Sequence, residues 1–201
     1  IMRLVSYTSV SHFGFMVLGI FIGSQIALTG AMVYMVAHGV SIAAMFLLSG
    51  WLSARGGTQD MREYGGMQRV SPVLAGLWLF SGLASVALPG LSGFVPEYLV
   101  LMGPWKVSTM LALFAVLGVI LAALYMLMPY QRVFTGPPRA GKDQIADLNA
   151  REKTVMTPLV IAMLVLGIWA APLVSALTPI ATQGEQLMTA ASAILSEGSA
   201  Q

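Results

Sequence analysis

Three ionisable side chains stand inside long apolar stretches: His12, His38 and Glu97. Titratable groups at membrane depth are costly, and where they occur they face a bundle interior or a water-lined path and commonly serve ion or proton movement. Imidazole changes charge near neutral pH. Glu97 stands just after a pair of helix breakers. There a helix N-terminus favours the carboxylate while desolvation favours the neutral acid, and that opposition suits a group that exchanges protons. The chemistry these three can do together is proton relay. Each also has a purely structural alternative: a neutral histidine bonded to a neighbouring helix, or a permanently protonated acid closing a hydrogen bond.

The surroundings of each group sharpen that reading. His12 lies nine residues past Arg3, roughly 13 Å along a helix, with Thr8, Ser9 and Ser11 beside it. His38, Ser41, Met45 and Ser49 share one helical stripe at intervals of three to four. Such a stripe is a polar path, a packed inter-helix seam, or both. Around Glu97 the run Pro72 to Gly103 has 32 residues, about 48 Å as one helix, too long for a hydrocarbon core of about 30 Å unless it tilts or breaks. Pro89 removes a backbone donor, Gly90 and Gly93 tolerate irregular backbone, and Ser92 is placed to bond the freed groups. Two half-helices meeting at mid-membrane are a transporter device for ion sites. Pro96 fits the first turn of the second half-helix. The supporting polar or helix-break residues are therefore Ser41, Ser85, Pro89, Gly90, Ser92 and Gly93.

Other chemistries find no support. The chain has no cysteine, and its two histidines are too far apart in sequence for a zinc-type spacing. No nucleotide loop or nucleophile–base motif is present. A net charge of +2, scattered along loops, gives no nucleic-acid footprint.

The elements that must position these groups are transmembrane helices. Of 201 residues, 57% are hydrophobic and 9% charged, far from the balance of a soluble domain. Five apolar runs lie between charges: about 4–22, 26–53, 72–103 broken near 89–93, 107–134 and 154–171. No alternating barrel pattern is visible, so the expected fold is all-α, a polytopic transmembrane bundle over 1–171 with a tail over 172–201. Arg3, the arginines at 55, 62 and 69, and the cations from Arg132 to Lys153 share one side, with Lys106 alone opposite. The positive-inside rule puts the start of the first span inside and the C-terminus outside. Asn149 and Glu152 form the pattern of a capping box for the last span. In the tail, Leu187, Met188, Ala191, Ile194 and Leu195 recur at helical spacing without a nearby cation, which favours contact with a partner chain over anionic lipid. The first residues lack the charged region and cleavage site of a signal peptide, and numbering is expected to start inside a longer protein.

Five blocks in order, "RLVSYTSVSHFGFMVLGIF", "GAMVYMVAHGVSIAAMFLLSGWL", "DMREYGGM", "ASVALPGLSGFVPEYLVLMG" and "YQRVFTGP", resemble the antiporter-like proton-pumping subunits of respiratory complex I. The resemblance implies that these are the last five of about fourteen spans, in the inner membrane of a bacterium. It implies a proton pathway through the positions of His12, His38 and Glu97, with a broken span carrying Glu97. Glutamate there marks one paralogue, whereas sister chains tend to carry lysine. No redox cofactor is implied in this chain; NADH, flavin, iron–sulfur clusters and quinone belong to partner subunits. The partners implied are other complex I membrane subunits, especially antiporter-like neighbours, together with membrane lipid. Pro96, Met2 and Pro129 depart from the usual pattern. The reading from another class is a subunit of a multi-subunit sodium/proton antiporter, and a third is a membrane scaffold whose polar residues only join helices.

Overall fold

A computed structural model describes residues 1–198, and among them all regular structure is helical. Helices α1 (Met2–Ile22) and α2 (Gln25–Gly56) form an antiparallel pair around Gly23, whose left-handed backbone (φ 71°) suits glycine. A short 3-10 turn and α3 (Met67–Val70) lead to α4 (Pro72–Ser85) and α5 (Phe94–Val107), followed by α6 (Thr109–Phe134), α7 (Ala150–Ile168) and α8 (Ala171–Gly198). Helix α2 is the hub and packs against α1, α4, α5, α7 and α8. One core cluster, with Leu48, Leu52, Trp78, Met126 and Phe134, lies toward the loop-rich end; a second joins Phe15, Met16, Tyr34 and Val100.

Helices lie over all five expected apolar runs, but by length and composition only three are single-helix candidates for a crossing, and one bent pair makes a fourth. Helices α1, α2 and α6 are each long and apolar enough to cross a membrane. The third run is two helices of 14 residues, each roughly 21 Å and too short to cross alone. Its break covers 86–93, wider than the expected 89–93, because α4 ends before Pro89 is reached. Ser108 is extended, and its hydroxyl accepts from the Leu111 amide, so α6 begins at 109 rather than 107. The last run starts early, at Ala150, on the capping box of Asn149 and Glu152.

The tail differs most. In place of a short amphipathic segment beyond 171, α8 is a helix of 28 residues bent by 69° from α7, and only the two together pass as a span. Helix α8 lies along the start of α2. The Gln25 amide donates to Thr182 Oγ1 at 3.1 Å, and a Cβ on Gly184 would meet Leu28 at 3.2 Å. Leu187, Ile194 and Leu195 remain exposed. Of the expected tail 172–201, residues 199–201 lie outside the described part.

The loop before α7 binds the bundle at one end. Asp147 accepts from the Val73 and Leu74 amides at 2.8 and 2.9 Å, so it caps α4 from 73 residues away or more. The Ser71 hydroxyl donates to Ile145 O at 2.9 Å. Arg55, in the last turn of α2, pairs with Glu152 at 2.5 Å, and Lys142 donates to Gly56 O while standing over the Tyr64 ring. Replacing Asp147 by Ala is expected to lower stability by about 1–2 kcal/mol through loss of this cap. Thermal unfolding of the detergent-solubilised protein measures it, and an unchanged midpoint would show that α4 does not depend on Asp147.

Candidate functional site

Small residues bring three helices together and so set which polar groups can meet. A Cβ on Gly19 of α1 would lie 2.8 Å from Ala27 O and 3.1 Å from Ala31 Cβ, so α1 and α2 touch at that level. Further along the same antiparallel pair, His12 comes opposite Tyr34 and Ser9 opposite His38. Helix α5 approaches the other side of α2 as closely. A Cβ on Gly30 would lie 2.7 Å from Val100 N, and one on Gly103 would lie 2.7 Å from Ala27 Cβ. Small residues at such seams let helix backbones approach in a membrane bundle. In this register, one turn along α2 from Gly30 places Tyr34 against Glu97.

The break delivers Glu97 to that level. Helix α4 ends with Val86 bonded to Gly82 O and Leu88 bonded to Leu83 O, and the residue between, Ala87, is left-handed at φ 57°. This is a Schellman-type ending with alanine where glycine is usual. Ala87 is the one non-glycine at positive φ among the described residues. Pro89 follows the cap, and Gly90 turns the chain at φ 90°. Gly93 sits directly under Ala84 O, a place no Cβ could occupy, and Gly167 of α7 presses on the backbone of Gly90 and Leu91. The break is thus held from both sides. Helix α5 then starts at Phe94, with Glu97 in its first turn.

Ser92 does not do what the sequence suggested. Its hydroxyl is buried and makes no hydrogen bond, because the backbone turns satisfy themselves: Leu91 donates to Leu88 O and Phe94 to Leu91 O. Ser85 and Ser41 are likewise occupied with their own helices, donating to Ser81 O at 3.2 Å and to His38 O at 3.1 Å. Ser41, Ser85 and Ser92 are all buried, and none has a hydrogen bond to the side chains of the three ionisable residues.

The three ionisable residues do meet in one buried cluster. His12, His38 and Glu97 are exposed by 1%, 5% and 4%. The Tyr34 hydroxyl donates to Glu97 Oε2 at 2.7 Å and lies 2.8 Å from His12 Nδ1. The His12 and His38 rings are 4.8 Å apart between centroids, and His38 Nε2 lies 3.3 Å from Ser9 Oγ. Tyr34 is the member that sequence reasoning missed. The signal was present: Tyr34 lies four residues before His38 and extends the stripe of His38, Ser41 and Met45 by one turn. Among the described residues, no three His, Cys, Asp or Glu side chains gather in a way that could hold a metal ion.

A phenol has one proton, and that fixes the sense of the chain. With the Tyr34 proton on Glu97, Tyr34 must accept from His12 Nδ1–H. With Glu97 protonated and donating to Tyr34, Tyr34 turns its own proton to His12 Nδ1. Passing from the second state to the first moves one proton from Glu97 through Tyr34 onto the imidazole, which can then release a proton from Nε2. That nitrogen is buried and has no hydrogen-bond partner.

Residues 1–124 match the family described as NADH:quinone oxidoreductase/Mrp antiporter, TM. The chain belongs to that family. NADH-quinone oxidoreductase subunit M of Mycobacterium tuberculosis is 46% identical over 178 residues, covering 89% of this chain and 32% of the relative. The subunit M of Pseudomonas aeruginosa is 42% identical, covering 86% and 34%. The chain therefore spans about a third of the length of these curated relatives. A chain in the structure of respiratory complex I from Thermus thermophilus with bound NADH superposes with a TM-score of 0.86 at 36% identity, covering 91% of this chain and 38% of that one. A chain of the Mrp complex from Dietzia sp. shares the fold, with a TM-score of 0.77 at 21% identity, covering 95% of this chain and 44% of that one. As a family member the chain is a polytopic helical membrane fragment, with α1, α2 and α6 each long and apolar enough to cross as a single helix.

The strained cap gives a direct test of the break's construction. Replacing Ala87 by Gly removes a left-handed alanine and is expected to raise stability by about 1 kcal/mol. A thermal midpoint in detergent that rises supports the left-handed geometry, and one that falls contradicts it.

Proposed function

We propose that this chain is the C-terminal part of subunit M of a bacterial proton-translocating NADH:quinone oxidoreductase, and that Glu97, Tyr34, His12 and His38 form a segment of its proton path. The observation that carries the reading is the unbroken contact from Glu97 Oε2 through the Tyr34 hydroxyl to His12 Nδ1, buried between α1, α2 and α5. Protons would pass along the axis through His12 and His38, while Glu97 exchanges with the outer side of the membrane. The side of each loop follows the cation count, with the C-terminus outside. Redox chemistry would take place on the NADH, flavin, iron–sulfur and quinone sites of partner subunits, so coupling must reach this chain as conformational or electrostatic change through its neighbours.

The fold shared with the Dietzia Mrp complex supports a second reading, a subunit of a multi-subunit sodium/proton antiporter. The chains that co-purify decide between the two: quinone-reductase subunits in one case, small antiporter subunits in the other.

In the assembled complex, Glu97→Gln is expected to slow proton transfer through this chain by about 10²-fold or more, the scale of losing one positioned proton-transfer group, and so to lower protons moved per NADH oxidised with the complex still assembled. Tyr34→Phe keeps the ring and removes the bridge, and is expected to act in the same direction. Vesicle pumping assays measure both. Undiminished pumping in Glu97→Gln would overturn the relay, and a change in stability alone would leave only the scaffold role.

A further inference from the structure

The relay has one gap, between its two imidazoles. Tyr34 bonds His12 at Nδ1 and Ser9 bonds His38 at Nε2, but among the described residues no hydrogen bond joins the two rings to each other. Their centroids are nevertheless 4.8 Å apart, with the planes tilted by 42°. Two imidazoles bonded nitrogen to nitrogen at about 2.9 Å have centroids about 5 Å apart. The spacing therefore already suits a bond, and what is missing is the facing of the nitrogens. His12 Nε2 is buried and has no partner. The movement this spacing calls for is a turn of one ring about its Cβ–Cγ bond, a soft torsion, with no shift of a helix.

Ser9 holds His38 in its present facing. On the same helix, Ser6 and Thr8 bond back to their own backbone, at Met2 O (3.1 Å) and Val5 O (2.7 Å), the ordinary use of a hydroxyl within a helix. Ser9 makes no such bond, and its hydroxyl reaches across to His38 Nε2 at 3.3 Å. That is long for a hydrogen bond and correspondingly weak, which suits a contact that is given up and remade. A hydroxyl also serves both states of the ring, donating to a bare Nε2 and accepting from Nε2–H. Phe13, four residues on from Ser9, stands nearly perpendicular to the His38 ring at 5.9 Å and offers it no competing hydrogen bond.

We infer that Ser9 is the positioning residue for the step between the histidines: it holds His38 Nε2 away from His12, and a proton crosses only when His38 turns from Ser9 to His12. The inference rests on the relay reading above. In the crossing, the Nε2–H bond of His12 breaks as an N–H bond forms at His38 Nε2, so one imidazolium becomes neutral as the other ring becomes charged. On the turn back, His38 carries Nε2–H to the Ser9 oxygen, which accepts it in a hydrogen bond. Ser9 thereby separates the two rings after each transfer and opposes return of the proton to His12.

The test uses the assembled complex in vesicles, with protons moved per NADH oxidised followed as the proton gradient builds. Ser9→Ala frees the His38 ring, so return to His12 is expected to rise by about two- to tenfold, the bias that one hydrogen bond supplies. The ratio then falls more steeply with the gradient than in the parent, a dependence that a packing role would not produce. Ser9→Thr keeps the hydroxyl and is expected to restore the parent's behaviour, whereas Ser9→Val, of the same shape without the hydroxyl, is not. Should Ser9→Ala assemble poorly, the Thr and Val pair decides by the same ratio. Parental gradient dependence in Ser9→Ala, or Thr and Val variants that behave alike, would overturn the positioning role. That result alongside a loss of pumping in Glu97→Gln would leave the relay standing, and full pumping in Glu97→Gln would remove the relay itself.

Discussion

The Tyr34 hydroxyl joins two titratable groups from two other helices, and most of the architecture serves to keep it there. A buried carboxyl or imidazole without a partner is destabilising at membrane depth by several kcal/mol, and the cost falls when each finds a hydrogen bond. Tyr34 can satisfy both because α1 and α5 each approach α2 almost backbone to backbone. Gly19, Ala27, Ala31, Gly30 and Gly103 make that approach possible. A larger side chain at Gly30 would push α5 away by the width of that side chain, and the contact with Glu97 would be lost.

The break between α4 and α5 is the other half of the arrangement. A continuous helix would carry Glu97 past the level of Tyr34 with no free N-terminus near it. The chain instead ends α4 on a left-handed alanine and restarts at Phe94, so the acid lies in the first turn of α5 with its carboxyl against the Tyr34 hydroxyl. Strain of this kind persists where neighbours over-determine the backbone. Here the neighbours are Gly93 beneath Ala84 O and Gly167 of α7 against Gly90. At the far end of α4, Asp147 and Ser71 tie the half-helix to the loop before α7. Helix α7 therefore touches the break at one end and its preceding loop caps α4 at the other.

Much of this was legible in the sequence, and the parts that were not share a cause. Apolar length marks membrane helices, Pro89 with Gly90 and Gly93 marks a break, and an acid such as Glu97 is conspicuous in an apolar run. Tyr34 was overlooked because a phenol is common in membrane helices, and its value comes from partners 22 and 63 residues away. Asp147 reads as an ordinary loop acid until the Val73 and Leu74 amides are seen beside it. Ser92 illustrates the reverse error: a hydroxyl at a break suggests a cap, but the backbone had already closed its own turns. Helix α8 was underestimated because Thr178, Thr182, Gln183 and Glu185 dilute its apolar signal, whereas its packing along α2 is non-local.

The central claim is that Glu97 and His12 share one exchangeable chain through Tyr34. Infrared difference spectroscopy of the assembled complex during NADH oxidation addresses it at the bond itself. The account predicts a carboxyl C=O band that changes on turnover, disappears in Glu97→Gln and shifts in frequency in Tyr34→Phe. A Glu97 band unaltered in Tyr34→Phe would contradict it.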